Sequence, residues 1–300
     1  MGLQNKVLVL SVLFVLFSVA ATPAVRAQSD ALLENASIHV AHTREPAVCG
    51  QTTAPKQVTE ALRLVCLRTP ARTRDMSVKN VIIIGFLGGF VGRNNMRHPE
   101  PHFAAYLRQS YPSIVHAEVF ANHDGKHALQ RVLQLLDTNG NGVLDDTEKE
   151  QAAIIIYGHS WGGSQTVTLA RELNRVNIPV LLTVQLDSVH KPGHEDSIIP
   201  PNVRNAVNFY QTKGPIHGRS AIRAANPERT NIIGNFQMTY RDNQIDCENY
   251  PWLARHLNKP HHEIENDPQV WERVASLIDV ELSRGSGVEA SLRSSSLPSK

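Results

Sequence analysis

AAIIIYGHSWGGSQTVTLARELNR, residues 152–175, decides the fold. Its first half, rich in isoleucine, suits a β-strand covered on both faces, and its second half has the apolar spacing of a helix. Between them Gly158 and Gly162 flank Ser160 at two residues on either side, with Gly163 following. A strand that turns this sharply into a helix holds its central residue at strained backbone angles. Side chains two positions away would collide, and glycine removes the collision. A serine on such a turn is presented as a nucleophile, and the helix N-terminus aims free N–H groups where negative charge would develop. His159, inside the turn, reads as structural, pointing away from the serine's side.

Outward from this stretch, short apolar runs alternate with amphipathic ones. VKNVIIIGFLGGF, IVHAEVFAN and IPVLLTVQLDSV read as strands, whereas HFAAYLRQSY, KHALQRVLQLL and the segment after Ser160 read as helices. The alternation predicts an α/β fold built on a mostly parallel central sheet with helices on both faces. VRNAVNFYQ and RTNIIGNFQMTY continue the pattern, and DPQVWERVASLIDVELSR predicts a final helix. The expected domain runs from 28 to 282, and the serine-rich, apolar-poor segment 283–300 predicts a disordered tail.

Composition limits what such a domain can do. The chain has 300 residues, 41% hydrophobic and 19% charged, enough for one substantial core. Its formal charge is +2, and Lys6 and Arg26 fall in the first 27 residues. Without those residues the chain is near neutral, which excludes the basic footprint of a nucleic-acid binder. Residues 1–27 join Lys6 to the apolar run VLVLSVLFVLFSVAA and then to small residues at Val25 and Ala27, the pattern of a secretory signal peptide cleaved after Ala27. The expected location is secreted or periplasmic, with no stable membrane anchor after cleavage. An oxidising compartment would allow one disulfide among Cys49, Cys66 and Cys247, and the sequence does not choose the pair. Asn35 heads a glycosylation sequon.

From about Val78 to Leu282 the chain resembles the α/β-hydrolases of the lipase and esterase type. The resemblance implies a triad in the order serine, acid, histidine. Asp187 ends the strand VLLTVQLD, where the related lipases carry their acid before a proline; here Ser188 follows. Asp196 and Asp246 are rivals expected to lie in solvated loops. In KPHHEIENDPQVWERV the family pattern places the histidine at His261, on a loop before the last helix, with adjacent His262 left open. The oxyanion donors implied are the backbone N–H groups of Trp161 and of Phe86, with Leu87 next to it. Such a triad would cleave a small-molecule or lipid ester. The same residues fit an acyltransferase, and a catalytically silent binding module with the same fold is the reading of another class.

Directly upstream, DTNGNGVLDDTE has the ligand spacing of an EF-hand-like calcium loop. Asp137, Asn139, Asn141, Val143 by its carbonyl, Asp145 and Glu148 stand at positions 1, 3, 5, 7, 9 and 12, with Gly142 at the sharp turn. The expected cofactor is a structural Ca²⁺, with no organic cofactor. The oligomeric state is not legible in the sequence.

Overall fold

A computed structural model describes residues 81–112 and 115–294, with side chains as far as Ser283. The predicted signal peptide, Asn35, Cys49 and Cys66 lie outside the described residues. All described residues belong to the second of two compact units, Cys49–Lys300.

Eight strands and seven helices follow one another along this part of the chain. They are β1 (Val81–Leu87), α1 (Pro99–Ser110), β2 (Val115–Ala121), α2 (Gly125–Leu136), α3 (Asp146–Glu150), β3 (Ala153–His159), α4 (Trp161–Arg175) and β4 (Val180–Leu186). After them come β5 (Ile198–Ile199), β6 (Val203–Tyr210), β7 (Arg223–Ala224), β8 (Asn231–Gln237), α5 (Trp252–Leu257), α6 (Lys259–Asn266) and α7 (Pro268–Ser294). The backbone of α7 continues to Ser294, into the serine-rich segment whose composition predicts no structure. No described helix is long and apolar enough to cross a membrane.

Six strands form one sheet in the order β2-β1-β3-β4-β6-β8, and every neighbouring pair is parallel. Side chains of a strand alternate between faces, so each strand feeds two cores. Val81 and Ile83 of β1 pack with Phe103 of α1 and Trp271, Val274 and Ile278 of α7. Ile82, Ile84 and Phe86 face the other way, against Val132 of α2 and Val167, Ala170 and Leu173 of α4. Runs such as Ile154-Ile155-Ile156 are therefore continuous because helices cover both faces. The architecture is the α/β-hydrolase fold, with a wholly parallel sheet among the described residues. β3 is central, so its C-terminal end, like those of β1 and β4, opens on one rim. Ligand sites of open parallel sheets lie at that rim.

Candidate active site

Ser160 sits between β3 and α4 at φ 56° and ψ −125°, a left-handed conformation that side chains rarely adopt. What holds it there is packing. A Cβ on Gly158 would run into the Gly162 carbonyl, and one on Gly162 into the Phe86 backbone. The Ser160 N–H donates to the Leu186 carbonyl at 2.9 Å, and its own carbonyl accepts from Gly163 at 3.0 Å and Val189 at 3.2 Å. As the N-cap of α4, a serine ordinarily bonds its hydroxyl to the helix start. Ser160 makes no such bond, so its Oγ is not committed to capping.

Asp187 follows β4 and is likewise strained, at φ 43°. Its fully buried carboxylate accepts from four donors. Gly218 N at 2.7 Å and Gln211 N at 3.1 Å reach Oδ1, while Gln211 Nε2 at 2.8 Å and His261 Nδ1 at 2.6 Å reach Oδ2. Burial alone would raise its pKa. The hydrogen bond and charge of His261, with the Gln211 donors, outweigh that and hold the carboxyl below its ordinary range. Of the adjacent histidines it is His261 that meets Asp187. His262 packs its ring on Tyr250, with centroids 4.1 Å apart, and its Nδ1 lies 3.7 Å from Glu265.

Two rivals for the acid role lie elsewhere. Asp246 is exposed, as expected. Asp196 is not the solvated residue that its loop position suggested. It is fully buried, accepts from Ser188 Oγ at 2.9 Å, and pairs with Arg219. Ser188, standing where lipases carry proline, therefore anchors a structural ion pair beside the elbow.

His261 lies in α6 rather than on a loop before the last helix, where the family pattern implied it. Prolines at the first turns of α6 and α7 let two helices follow closely, and the α6 face that holds His261, Glu263, Glu265 and Asn266 is buried though polar. Burial lowers the His261 pKa first and the neighbouring His159 lowers it further, with Asp187 opposing only in part. The ring is thereby favoured in its neutral, proton-accepting form. With Nδ1 occupied by Asp187, Nε2 is the nitrogen available to a serine.

His159, beside the serine in the turn, packs against the triad histidine rather than standing apart from it. Its ring lies 4.4 Å from that of His261 and its Nε2 meets the His261 carbonyl at 3.1 Å. Burial opposes its charge, but Glu265 and Glu100 reverse that and raise its pKa to about 9.

Trp161 and Phe86 are the two residues whose backbone N–H groups the resemblance implied as oxyanion donors. Trp161 opens α4, where backbone N–H groups lack intrahelical acceptors. Phe86, however, is an interior residue of β1, paired in register with both Phe120 and Gly158, and its carbonyl abuts Gly162. The backbone that reaches the nucleophile is at Gly88, where a Cβ would lie 2.8 Å from the Ser160 Cβ. Phe90, three residues beyond the end of β1 and 74% exposed, meets Trp161 edge to face at 5.3 Å, placing an apolar surface beside the elbow.

Upstream of β3, the loop 137–148 is curled by its own side chains. Asp137 accepts from Asn141 N at 3.1 Å and Gly142 N at 2.8 Å, Asn139 Oδ1 from Asn141 N at 3.0 Å, and Asn141 Oδ1 from Val143 N at 2.8 Å. Gly142 takes φ +78°, the turn that its position requires. Asp145 caps α3 in a reciprocal box with Glu148, whose Oε1 also reaches back to Thr138 N at 2.8 Å. Burial works against ionising Glu148, but hydrogen bonds from Thr138, Asp145 and Asn139 keep its pKa below the ordinary value. Residue 12 of the loop thus closes over residues 2 and 3. Cys247 is a buried free thiol.

Several residues of the site carried no sequence signal. Gln211 and Gly218 hold Asp187, and Glu265 contacts His98, His159 and His262 from 167, 106 and 3 residues away in sequence. Only the glycine in GPIHGRS could have prompted a search, because a Cβ at Gly218 would strike the Asp187 backbone.

No protein-family model and no curated protein matches the chain. Among solved structures it is similar to a proposed hydrolase of the alpha/beta superfamily from Xanthomonas campestris pv. campestris. That similarity has a TM-score of 0.31 and 11% identity, over 65% of this chain and 98% of that one. Likeness at this level carries nothing about residues or activity, and the fold class stands on the parallel sheet, its strand order and the helices on its two faces.

Proposed function

We propose that the chain is a serine hydrolase of ester bonds. The observation that carries this reading is the 2.6 Å contact of His261 Nδ1 with Asp187, on the rim where Ser160 is held at a strained left-handed turn. Neutral His261 takes the proton from Ser160 Oγ as the serine attacks the ester carbonyl. Asp187 orients the ring and stabilises the imidazolium that forms. The oxyanion is met by the Trp161 N–H and by the backbone running from Phe86 to Gly88 at the end of β1. His261 then returns the proton to the leaving alkoxide, and water, activated by the same nitrogen, releases the acid from the acyl-enzyme. Phe90 and Trp161 beside the elbow support a substrate with an apolar acyl or aryl group, small-molecule or lipid.

The pH dependence tests this reading. Protonated His261 cannot accept the serine proton, so activity should be constant at neutral pH and fall as pH drops through the His261 pKa. Burial places that pKa below the ordinary imidazole value of about 6.5. With short-chain p-nitrophenyl esters, kcat/KM should show an acid limb below that value. A limb at pH 7 or above, or no turnover over a panel of chain lengths, would contradict the assignment.

The signal-peptide pattern supports export, and calcium fits an exported protein. Asp137, Asn139, Asn141, the Val143 carbonyl, Asp145 and Glu148 would hold the ion. It would neutralise three carboxylates and tie the end of α2 to the start of β3. β3 spans seven residues from Ala153 to His159, roughly 20 Å at ~3.3 Å per residue. An ion at its far end is too distant to polarise a carbonyl at Ser160. At calcium a hundredfold above Kd the ion contributes about 2.7 kcal/mol. Chelation should therefore lower Tm by roughly 5–10 °C while leaving activity at low temperature largely intact. Scanning calorimetry with and without EDTA checks this. Rapid loss of activity with Tm unchanged would overturn the structural role.

A further inference from the structure

Behind His261 lies a buried constellation that ester hydrolysis does not use. His98 precedes α1, Glu100 lies in its first turn, and Glu265 lies in α6. One His98 nitrogen and one carboxylate oxygen from each glutamate all fall within 4.8 Å of one another. Glu265 is well satisfied, with Tyr250 Oη donating to Oε2 at 2.6 Å and His98 Nδ1 at 2.6 Å from Oε1. Glu100 is the opposite. It is fully buried, and neither of its carboxylate oxygens meets a hydrogen-bond donor from any other described residue. A buried carboxylate without a donor, beside a second carboxylate, is among the costliest arrangements a protein interior can hold. A cation between them removes the cost for both.

We propose that His98, Glu100 and Glu265 form a site for a divalent transition-metal ion, zinc by its ligand chemistry, that ties the start of α1 to the helix carrying His261. One imidazole and two carboxylates are a zinc donor set, and two carboxylates balance its charge. The imidazole nitrogen disfavours calcium and magnesium, which take oxygen ligands. Ligands at about 2.0–2.1 Å around a tetrahedral ion stand roughly 3.3 Å apart, so the 2.6 Å His98–Glu265 contact must open by about 0.7 Å and any separation toward 4.8 Å must close. Side-chain rotation supplies that. Outer contacts are already in place, because Tyr250 holds the second Glu265 oxygen and His159 Nδ1 lies 3.4 Å from the first. The His98 side chain is 12% exposed and gives the ion its way in. None of the three ligands belongs to the triad, and the site does not depend on the hydrolase reading.

The test uses the tag-free full chain in excess calcium, which fills the 137–148 loop and leaves nitrogen-containing sites to report. After incubation with zinc and gel filtration, elemental analysis should find about one equivalent retained. Cobalt(II) in its place should give the intense visible absorption of a low-coordinate ion. Glu100→Gln keeps the shape of the side chain and removes an anionic ligand. It should weaken zinc binding on the order of a hundredfold or more, abolish the cobalt bands, and leave the circular dichroism unchanged. If that variant does not fold, His98→Ala, at a partly exposed position, should show the same loss. Zinc retention equal in the wild type and in a folded variant, or no retention in the wild type, overturns the site and leaves the cluster as a proton-sharing network.

Discussion

Ser160→Ala should reduce ester hydrolysis to near the uncatalysed background, a loss on the order of 10⁶-fold in kcat for removal of a triad nucleophile. The fold should survive. Ser160 Oγ makes no capping bond, and its backbone bonds to Leu186, Gly163 and Val189 do not involve the side chain. Alanine meets the same φ of 56° with a side chain no larger, so it adds no strain. Purified variant and wild type should therefore share circular dichroism and Tm while differing in turnover. Undiminished hydrolysis in a folded alanine variant would remove Ser160 from the mechanism.

The second large effect belongs to the pair behind the serine. Asp187→Asn should cost about 10⁴-fold in kcat, because the amide no longer stabilises the imidazolium and favours the wrong tautomer. The carboxylate takes four hydrogen bonds, two of them from backbone N–H groups on Oδ1. An asparagine can keep those two through its carbonyl oxygen but would set its amide hydrogens against Gln211 Nε2. Some loss of stability should accompany the loss of rate. His261→Ala should reach the scale of Ser160→Ala, since it removes the base itself. His262→Ala, which loses packing on Tyr250 and a 3.7 Å approach to Glu265 but no contact with Asp187, should remain within an order of magnitude of wild type. Steady-state kinetics on the three variants separates the neighbours, and a dead His262→Ala beside an active His261→Ala would show the wrong histidine had been chosen.

How much of this was legible in sequence depended on which residues a segment buries. β1, β3 and β4 were readable because both faces meet helices, so Ile82-Ile83-Ile84 and Ile154-Ile155-Ile156 appear as unbroken runs. The elbow was readable because its glycines recur at fixed local spacing around Ser160. Only Gly158 answers to a neighbour within the turn, Gly162, whereas Gly162 itself meets Phe86 and Gly163 meets Ser188 across the fold. α6 was not readable, because Ile264 is the one apolar residue it buries and the rest, His261, Glu263, Glu265 and Asn266, are polar residues buried through pairing, which hydrophobic periodicity does not register. Glycines in GFLGG mark a strand end, but only the packing of Gly88 on Ser160 says which one. Asp196 looked like a loop acid because its partner, Arg219, is 23 residues away. Contacts that close across the fold, such as His98 with Glu265 over 167 residues, leave no local pattern at all.

Covalent labelling tests the central claim most directly. A fluorophosphonate reacts only with a serine whose hydroxyl is activated by a base and whose oxyanion is stabilised, so it reads the assembled site without requiring the natural substrate. Intact-mass analysis of the wild type should show a single phosphonyl adduct, peptide mapping should place it on Ser160, and the Ser160→Ala protein should take up none. No adduct on a folded wild-type chain, or an adduct on any other serine, would contradict the account.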